Sequence, residues 1–295
     1  MYLVSINHTL WLSLKKENNK EKVVAVMTAR VYAFANQKGG VGKTTSCVNL
    51  AASLVYYQQR VLMIDLDPQG NATMGSGVDK GSLELSMNEL LQGEADINEV
   101  IIRQTPAGYD LLPANSDLTA ANVVLLKRDN AQFRLADEIS KVTHDYDYIL
   151  LDCPPSLSML TLNGLVAADA VIIAMQCEYF ALEGLSDLLT TVRELQENVN
   201  EKLGVFGIIR TMFDPRNRLS IEVSSQLIEH FGNKVFQTVI PRNIRLAEAP
   251  SYGLPVYLYD KNSRGSAAYL ALASELLRRV KSEQAQHAQQ EEASV

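Results

Sequence analysis

The chain has 295 residues, and its 27 basic and 34 acidic side chains give a formal net charge of −7. A hydrophobic fraction of 47% supplies enough apolar material for a large core, so the composition excludes a wholly disordered chain. The most apolar stretch, 164–175, is short and contains an Asp, so we expect no membrane-spanning helix. Three cysteines make neither a disulfide framework nor a metal-binding spacing, which favours a cytoplasmic setting.

Apolar runs alternate with helically spaced segments through most of the chain. In chain order, the runs predict strands over 31–35, 61–64, 111–112, 148–151, 170–175, 205–209 and 235–239. Helical segments are predicted over 44–57, 117–142, 182–199, 221–231 and 266–280. This alternation is typical of right-handed βαβ units. We therefore expect an α/β fold with a single doubly wound, mainly parallel sheet and helices on both faces.

The two ends of the chain differ in composition from its middle. We expect one domain over 28–281, because no linker rich in Pro, Gly or Ser divides it. Residues 1–27 combine a short apolar start with a run of Lys and Glu, and Met27 lies just before the first predicted strand. We expect this N-terminal extension to be disordered or to result from a mis-assigned start. Residues 282–295 lack an apolar stripe and predict a polar tail.

A glycine-rich loop follows the first predicted strand and leads into a helix. Residues 36–45 read NQKGGVGKTT. Glycines allow backbone N–H groups to surround phosphate oxygens, and the helix N-terminus adds a positive dipole end. Lys43 can reach the β- and γ-phosphates, and the Thr44 hydroxyl can bind Mg²⁺. The loop is a variant, because Gln37 stands where the usual pattern has Gly and Lys38 adds a second lysine. The loop predicts the fold of P-loop NTPases.

Three carboxylates follow predicted strands of the same sheet. Asp65 and Asp67 end the second strand, and Asp152 ends the fourth. The carboxyl ends of parallel strands line the ligand crevice, so all three are expected on the side of the phosphate loop. One such residue can bind Mg²⁺ or a metal-bound water, and another can orient an attacking water.

These segments together resemble a known family. The loop, the run DLDPQGNAT at 65–73, the run DCPP at 152–155 and the run PRNIRLAEAP at 241–250 are similar to ParA/Soj chromosome-partitioning ATPases. These belong to the deviant-Walker class of P-loop proteins. The similarity covers about 30–280. The loop alone marks only the wider class, whereas the runs at 65 and 241 indicate the partition branch.

The resemblance implies a role for each matching residue. Lys38, Lys43 and Asp67 match catalytic positions: Lys38 reaches the nucleotide of a second subunit, Lys43 holds phosphate, and Asp67 positions the attacking water. Thr44 matches the Mg²⁺ ligand, while Asp65 and Asp152 match carboxylates that support Mg²⁺ or its waters. The implied nucleotide-binding residues are Lys38, Gly39, Gly40, Val41, Gly42, Lys43, Thr44, Thr45, Pro241, Arg242 and Asn243.

The resemblance also implies a function in DNA segregation. ATP and Mg²⁺ would join two subunits, and the homodimer would bind DNA of any sequence and associate with the nucleoid. A ParB-like centromere-binding protein would stimulate slow ATP hydrolysis and release the dimer. Residues 205–280 hold 10 basic and 6 acidic side chains, so this segment supplies the candidate DNA contacts. These candidates are Arg216, Arg218, Arg242 and Arg245.

Three other functions are alternatives to DNA segregation. A MinD-like membrane-associated ATPase needs a C-terminal helix with basic and bulky apolar faces, and no Phe, Leu, Ile or Trp follows Val280. An iron–sulfur or metal-carrier ATPase needs paired cysteines near a dimer interface, and the cysteine positions do not favour one. A nucleotide-sensing adaptor with little turnover stays open, since slow hydrolysis is expected in either case.

Overall fold

The computed structural model describes residues 28–293. Within that range one sheet contains seven strands, all paired in parallel. The strands are Arg30–Phe34 (β1), Val61–Asp65 (β2), Asp110–Leu112 (β3), Tyr148–Asp152 (β4), Ala170–Gln176 (β5), Val205–Phe213 (β6) and Val235–Pro241 (β7). Their spatial order is β3-β2-β4-β1-β5-β6-β7. The predicted extension 1–27 and the last two residues lie outside the described range.

Helices connect the strands and cover both faces of the sheet. They are Lys43–Tyr56 (α1), Asn71–Gly75 (α2), Met87–Gln92 (α3), Ile97–Val100 (α4), Leu118–Leu125 (α5), Arg134–Ser140 (α6), Met159–Ala167 (α7), Ala181–Asn198 (α8), Arg218–Phe231 (α9), Ile244–Glu248 (α10), Val256–Tyr259 (α11) and Arg264–Ala293 (α12). Among the described residues, no helix is both long and apolar enough to cross a bilayer.

Two hydrophobic clusters, one on each face, hold the sheet between its helices. Alternate residues of a strand point to opposite faces. In β1, Tyr32 and Phe34 therefore pack with α1 and α12, whereas Val31 and Ala33 pack with helices of the opposite layer, including α5, α7 and α8. Burial on both faces explains why the central strands are almost continuously apolar. The predicted doubly wound α/β fold is confirmed.

Several elements differ from the predicted boundaries. The helical segment predicted over 117–142 divides into α5 and α6 with a 3₁₀ turn between them, and Asn130 before that turn has a left-handed φ of 57°. The final helix continues to Ala293. The predicted boundary at 281 therefore falls inside a helix. The segment predicted as a polar tail is helical from 282 to Ala293.

The order of strands places a crevice beside β1. This strand pairs with β4 on one side and β5 on the other; β2 and β3 lie beyond β4, whereas the chain after β4 crosses β1 and continues on the other side with β5, β6 and β7. In doubly wound sheets, ligands bind outside the carboxyl ends of the strands where the strand order reverses. The phosphate loop after β1 and the carboxylates at the ends of β2 and β4 all lie at that edge.

The packing of β6 against β7 generates a stability prediction. A Cβ added at Gly207 would overlap the ring of Phe236 and lie 2.9 Å from its Cδ2, and that ring is fully buried. We expect Gly207→Ala to lower the free energy of unfolding by about 1–3 kcal/mol, because overpacking forces the ring or the strand to move. Urea denaturation measures the change.

Gly204→Ala is the matched control, since a Cβ there meets no heavy atom within 4 Å. That variant should be neutral or gain up to about 1 kcal/mol, because alanine restricts the unfolded chain. Equal stability of the two variants would contradict the proposed packing.

Candidate functional site

The loop after β1 turns tightly into α1. Gly40 and Gly42 have φ angles of 72° and 87°, in the left-handed region that glycine adopts without strain. Gly42 directly precedes the first residue of α1, and no side chain caps that helix. The first N–H groups of α1 are therefore available to an anion, and the helix dipole favours negative charge there.

Neighbouring strands fix the position of this loop. Asn36 donates from Nδ2 to the carbonyl of Ala174 in β5 at 2.8 Å, and its Oδ1 accepts from the N–H of Lys38 at 3.0 Å. On the other side, the Thr211 hydroxyl at the end of β6 donates to the carbonyl of Val41 at 2.7 Å. The backbone of the loop is thus held before any ligand arrives, which lowers the conformational cost of binding.

Two of the predicted carboxylates lie next to each other below the loop. Asp65 and Asp152 are paired in the register of β2 and β4, and both are fully buried. Asp65 accepts hydrogen bonds of 2.8 Å from both the N–H and the hydroxyl of Thr73, and one of 3.1 Å from the N–H of Asp67. Neither carboxylate oxygen of Asp152 has a hydrogen-bond partner in the described chain.

Burial makes both charges unfavourable. Desolvation raises the pKa of Asp65 to about 6, although the hydrogen bonds from Thr73 and Asp67 oppose it. Desolvation, together with the charge of Asp65, raises the pKa of Asp152 well above its usual range. Burial also lowers the pKa of Lys43, while the charge of Asp152 acts in the opposite direction. The cluster therefore attracts a further positive charge.

The two lysines of the loop occupy different surroundings. Lys43 is buried, and its Nζ donates to the carbonyl of Lys38 at 3.2 Å. The Lys38 side chain is half exposed and forms a 2.7 Å ion pair with Glu178, which follows β5. Lys43 lines the cavity at the carboxyl edge of the sheet, whereas Lys38 does not.

That cavity has a volume of about 550 Å³, within the range of small-molecule sites. It brings together the loop, Asp67 and the segment predicted to contact adenine. The predicted residues on its wall are Gly39, Gly40, Gly42, Lys43, Thr44, Thr45, Asp67, Pro241, Arg242 and Asn243. Val41, Asp65 and Asp152 are buried and not among the lining residues.

The cavity fits a magnesium ion bound together with a phosphate ligand. The buried oxygens of Asp152 lack partners, and the hydroxyl-bearing Thr44 lines the wall next to Lys43. Among the described residues, no group of three or more His, Cys, Asp or Glu side chains could hold a metal ion alone. Mg²⁺ does not need such a cage, because it is usually held by one or two protein oxygens plus phosphate and water.

The candidate DNA contacts are separated from this cluster. Arg216 and Arg218 are almost fully exposed and form ion pairs with Asp214 and Glu222. Arg245 pairs with Glu248 at 2.7 Å and with Asp260 at 3.3 Å. Arg242 instead lines the cavity. Three of the four candidates are thus partly neutralised by neighbouring carboxylates.

Comparisons with known proteins agree with the geometry. Residues 29–205 match the model of a family described as AAA domain. The sporulation initiation inhibitor protein Soj of Bacillus subtilis is 48% identical over 84% of this chain and 98% of its own length. The chromosome partitioning protein ParA of Caulobacter vibrioides is 44% identical over 88% of this chain and 98% of its own.

The chain belongs to the ParA/Soj family of P-loop ATPases. The predicted family and ATPase class are confirmed by these matches. Among solved structures, cobyrinic acid a,c-diamide synthase from Mycobacterium smegmatis has the same fold, with a TM-score of 0.76 and 38% identity over 86% of this chain and 97% of that one. That protein was crystallised with an ATP analog and magnesium.

Several residues of the cavity were not predicted from the sequence. Thr211 and Met212 lie at the end of β6, and Met212 has an uncommon positive φ of 47° for a non-glycine residue. Tyr269 of α12 lines the wall, and its hydroxyl lies 3.0 Å from Oγ of Ser46. The predicted strand 205–209 ended too early to include the two β6 residues. Nothing in the local sequence distinguishes Tyr269 from an ordinary core residue.

The carboxylate pair generates a second prediction, for Asp152→Asn. In the folded chain the pKa of Asp152 is raised, so its ionisation weakens folding. This cost is absent below the unfolded pKa, about 3.9, and is largest above the folded pKa. We expect Asp152→Asn to increase the free energy of unfolding at pH 7, and the gain to shrink as the pH falls.

Asp152→Asn should also reduce the affinity for Mg²⁺ in the presence of nucleotide by about tenfold or more, as is usual when a group around a metal is changed. Urea denaturation at two pH values and calorimetry measure the two effects. Asp214→Asn is the control. The pKa of Asp214 is lowered to about 2, so its charge favours folding and its removal should not raise the free energy of unfolding. A less stable Asp152→Asn at pH 7 would contradict the electrostatic account.

Proposed function

We propose that the chain is a chromosome- or plasmid-partitioning ATPase that hydrolyses ATP in the cavity at the carboxyl edge of its sheet. The supporting observation is that the phosphate loop, Asp67 and the segment Pro241, Arg242 and Asn243 all line one cavity. These parts come from distant regions of the sequence. The predicted cofactors, ATP and Mg²⁺, suit the ATPase class, the basic loop and the buried carboxylates.

Each part of the cavity has a task in hydrolysis. Backbone N–H groups of the loop around Gly40 and Gly42 would contact the phosphates, and Lys43 would neutralise the charge that develops on the transferred group. Thr44 and Asp152 would hold Mg²⁺ or its waters. The ion supplies further charge neutralisation when bound. Asp67, at the cavity wall, orients the attacking water.

The position of Lys38 supports a dimer. Its side chain is half exposed and paired with Glu178, and it does not line its own cavity. An exposed pair of this kind contributes little, about 0–1 kcal/mol, so it is readily exchanged. We propose that Lys38 leaves Glu178 and contacts the phosphates of a second subunit. The added positive charge would reduce repulsion between two phosphate-loaded faces.

The dimer would then bind DNA through arginines of its surface. Arg216, Arg218 and Arg245 are exposed or half exposed, and each can exchange a carboxylate partner for a DNA phosphate. Contacts to phosphate require no base recognition. Two joined subunits offer roughly twice the contacts of one, and affinity rises steeply with the number of contacts. ATP would therefore control retention on the nucleoid.

A ParB-like centromere-binding protein would complete the cycle in the cytoplasm. It would stimulate hydrolysis at Asp67 and the lysines, after which ADP-bound subunits separate and leave the DNA. The alternative of a MinD-like, membrane-associated ATPase has less support. Residues 281–293 of α12 contain no Phe, Leu, Ile or Trp, so their insertion would bury little apolar surface.

Lys38→Ala tests the proposed dimer. We expect this variant to bind ATP but to remain monomeric with ATP and Mg²⁺, because the residue acts on the partner's nucleotide. Sedimentation velocity measures the mass of the complex. Lys127→Ala is the control, since Lys127 is an exposed lysine outside the phosphate loop. A dimer of the Lys38 variant as stable as that of the unchanged chain would refute the role of Lys38.

The double variant Arg216→Ala, Arg245→Ala tests the DNA contacts. Loss of each phosphate contact should reduce the slope of log affinity against log salt by about 0.9. The variant also leaves Asp214 and Glu248 without their cations, which should weaken binding further. Retention on a random-sequence fragment at several salt concentrations measures the slope. The control removes Arg193 and Lys127 instead, and an equal slope in both double variants would remove these arginines from the interface.

A further inference from the structure

A second cleft lies at the end of the sheet opposite the nucleotide cavity. It has a volume of about 620 Å³ and is formed by β6, β7, α9 and α12. Its wall comprises residues near the starts of both strands, whereas the nucleotide cavity meets their ends. Its lining includes Phe206, Arg210, Lys234, Glu275, Arg278 and Arg279.

The floor of this cleft contains a buried cation. Arg210 is 7% exposed. Its Nη1 donates to Oγ of Ser224 at 2.8 Å, and its Nη2 donates to the carbonyls of Phe236 and Gln237 at 2.8 and 3.0 Å. Its Nε has no partner in the described chain. All of these partners are neutral, so the buried guanidinium forms no ion pair with a carboxylate of the described residues, although the charge of Glu275 acts on it. Such a charge is costly to bury.

The walls of the cleft add more positive charge than negative. Lys234 and Arg278 form no ion pair with any carboxylate between residues 28 and 290, and within that range the side chain of Arg278 donates one hydrogen bond, to Oγ of Ser274 at 2.9 Å. Arg279 lies 4.1 Å from the ring centre of Phe236 and is fixed there.

Two carboxylates on the wall are already engaged. Glu275 accepts hydrogen bonds from the N–H groups of Gln237 and Thr238 and from Arg279. Glu283 pairs with Arg30 at 2.9 Å. The cleft therefore holds four cationic side chains and two carboxylates, of which Glu275 pairs with one of these cations, Arg279, and Glu283 with Arg30 outside the cleft.

We propose that this cleft binds a small phosphate-bearing anion. A phosphate group would accept hydrogen bonds from Arg278 and Lys234 and would compensate the buried charge of Arg210, and charge-assisted bonds of this kind are strong. The cleft has the volume of a small-molecule site. It is also a concave space between α9 and α12, which suits a compact ligand better than a DNA duplex. Burial lowers the pKa of Arg210, which a neighbouring anion would reverse.

The site would be connected to the nucleotide cavity through two strands. Arg210 directly precedes Thr211, which holds the phosphate loop, and β7 continues from the cleft into Pro241.

The test is a titration with inorganic pyrophosphate, and separately with AMP, of the full chain saturated with Mg²⁺ and ADP. Saturation keeps both probes out of the nucleotide cavity. Backbone amide NMR signals report where they bind, and we expect shifts at Gly232, Val235 and Gln237. Shifts with pyrophosphate indicate that phosphate alone suffices, and shifts with AMP only indicate a nucleoside phosphate; both support the site.

The double variant Lys234→Gln, Arg278→Gln should weaken the binding of whichever probe shifts these signals by about tenfold or more, given the strength of hydrogen bonds to charged groups. The matched control, Lys127→Gln with Arg193→Gln, removes two exposed cations elsewhere and should leave the affinity unchanged. No shifts at the cleft up to millimolar concentrations of either probe would overturn the proposal. Unchanged affinity in the cleft variant would also overturn it. A cleft variant that instead loses only retention on DNA would assign these cations to a duplex and contradict the small ligand.

Discussion

The site depends on a pair of carboxylates that the sheet forces together. Parallel pairing of β2 with β4 places Asp65 opposite Asp152, and burial of both strands removes these groups from water. Hydrogen bonds from Thr73 and the backbone stabilise Asp65, whereas Asp152 has no such partner among the described residues. The charge of Lys43 compensates that of Asp152 only in part, since burial still raises the pKa of Asp152, and a further cation with its phosphate ligand would relieve the remaining cost. The remainder of the site is arranged around this constraint.

The cavity is shared among elements that the same sheet holds in place. The loop is fixed from β5 by Asn36 and from β6 by Thr211, and β7 leads directly into the segment at Pro241. The phosphates, the metal ion and the adenine base would thus contact groups from separate strands of one sheet. Lys38 stands outside this rigid arrangement, with an exposed ion pair that is easily broken. A rigid nucleotide site and an exchangeable lysine are what an ATP-controlled association requires.

Much of this could be predicted from the sequence, for identifiable reasons. The seven strands are short, buried apolar runs, and the phosphate loop and strand-end carboxylates follow them at fixed positions. The helix Met159–Ala167 was not predicted, since a helix that is apolar on most sides has no clear amphipathic period. Thr211 and Tyr269 reach the cavity only through the packing of β6 and α12, which no local pattern encodes.

The pairing of the charged residues could not be predicted from the sequence. The sequence indicated an excess of basic residues over 205–280. It could not show that Arg216, Arg218 and Arg245 form ion pairs, or that Arg210 is buried without an ion pair among the described residues. Such pairings depend on distances across the folded surface. In the proposed account, these pairings determine which cations are available to DNA and which to a smaller anion.

The most direct test of the central claim is retention of the unchanged chain on a random-sequence DNA fragment, with ATP and with ADP, at low and moderate salt. The account predicts retention with ATP and Mg²⁺ only, and a loss of that retention as salt rises, because the dimer binds through phosphate contacts. Equal retention with both nucleotides, or none with either, would contradict it.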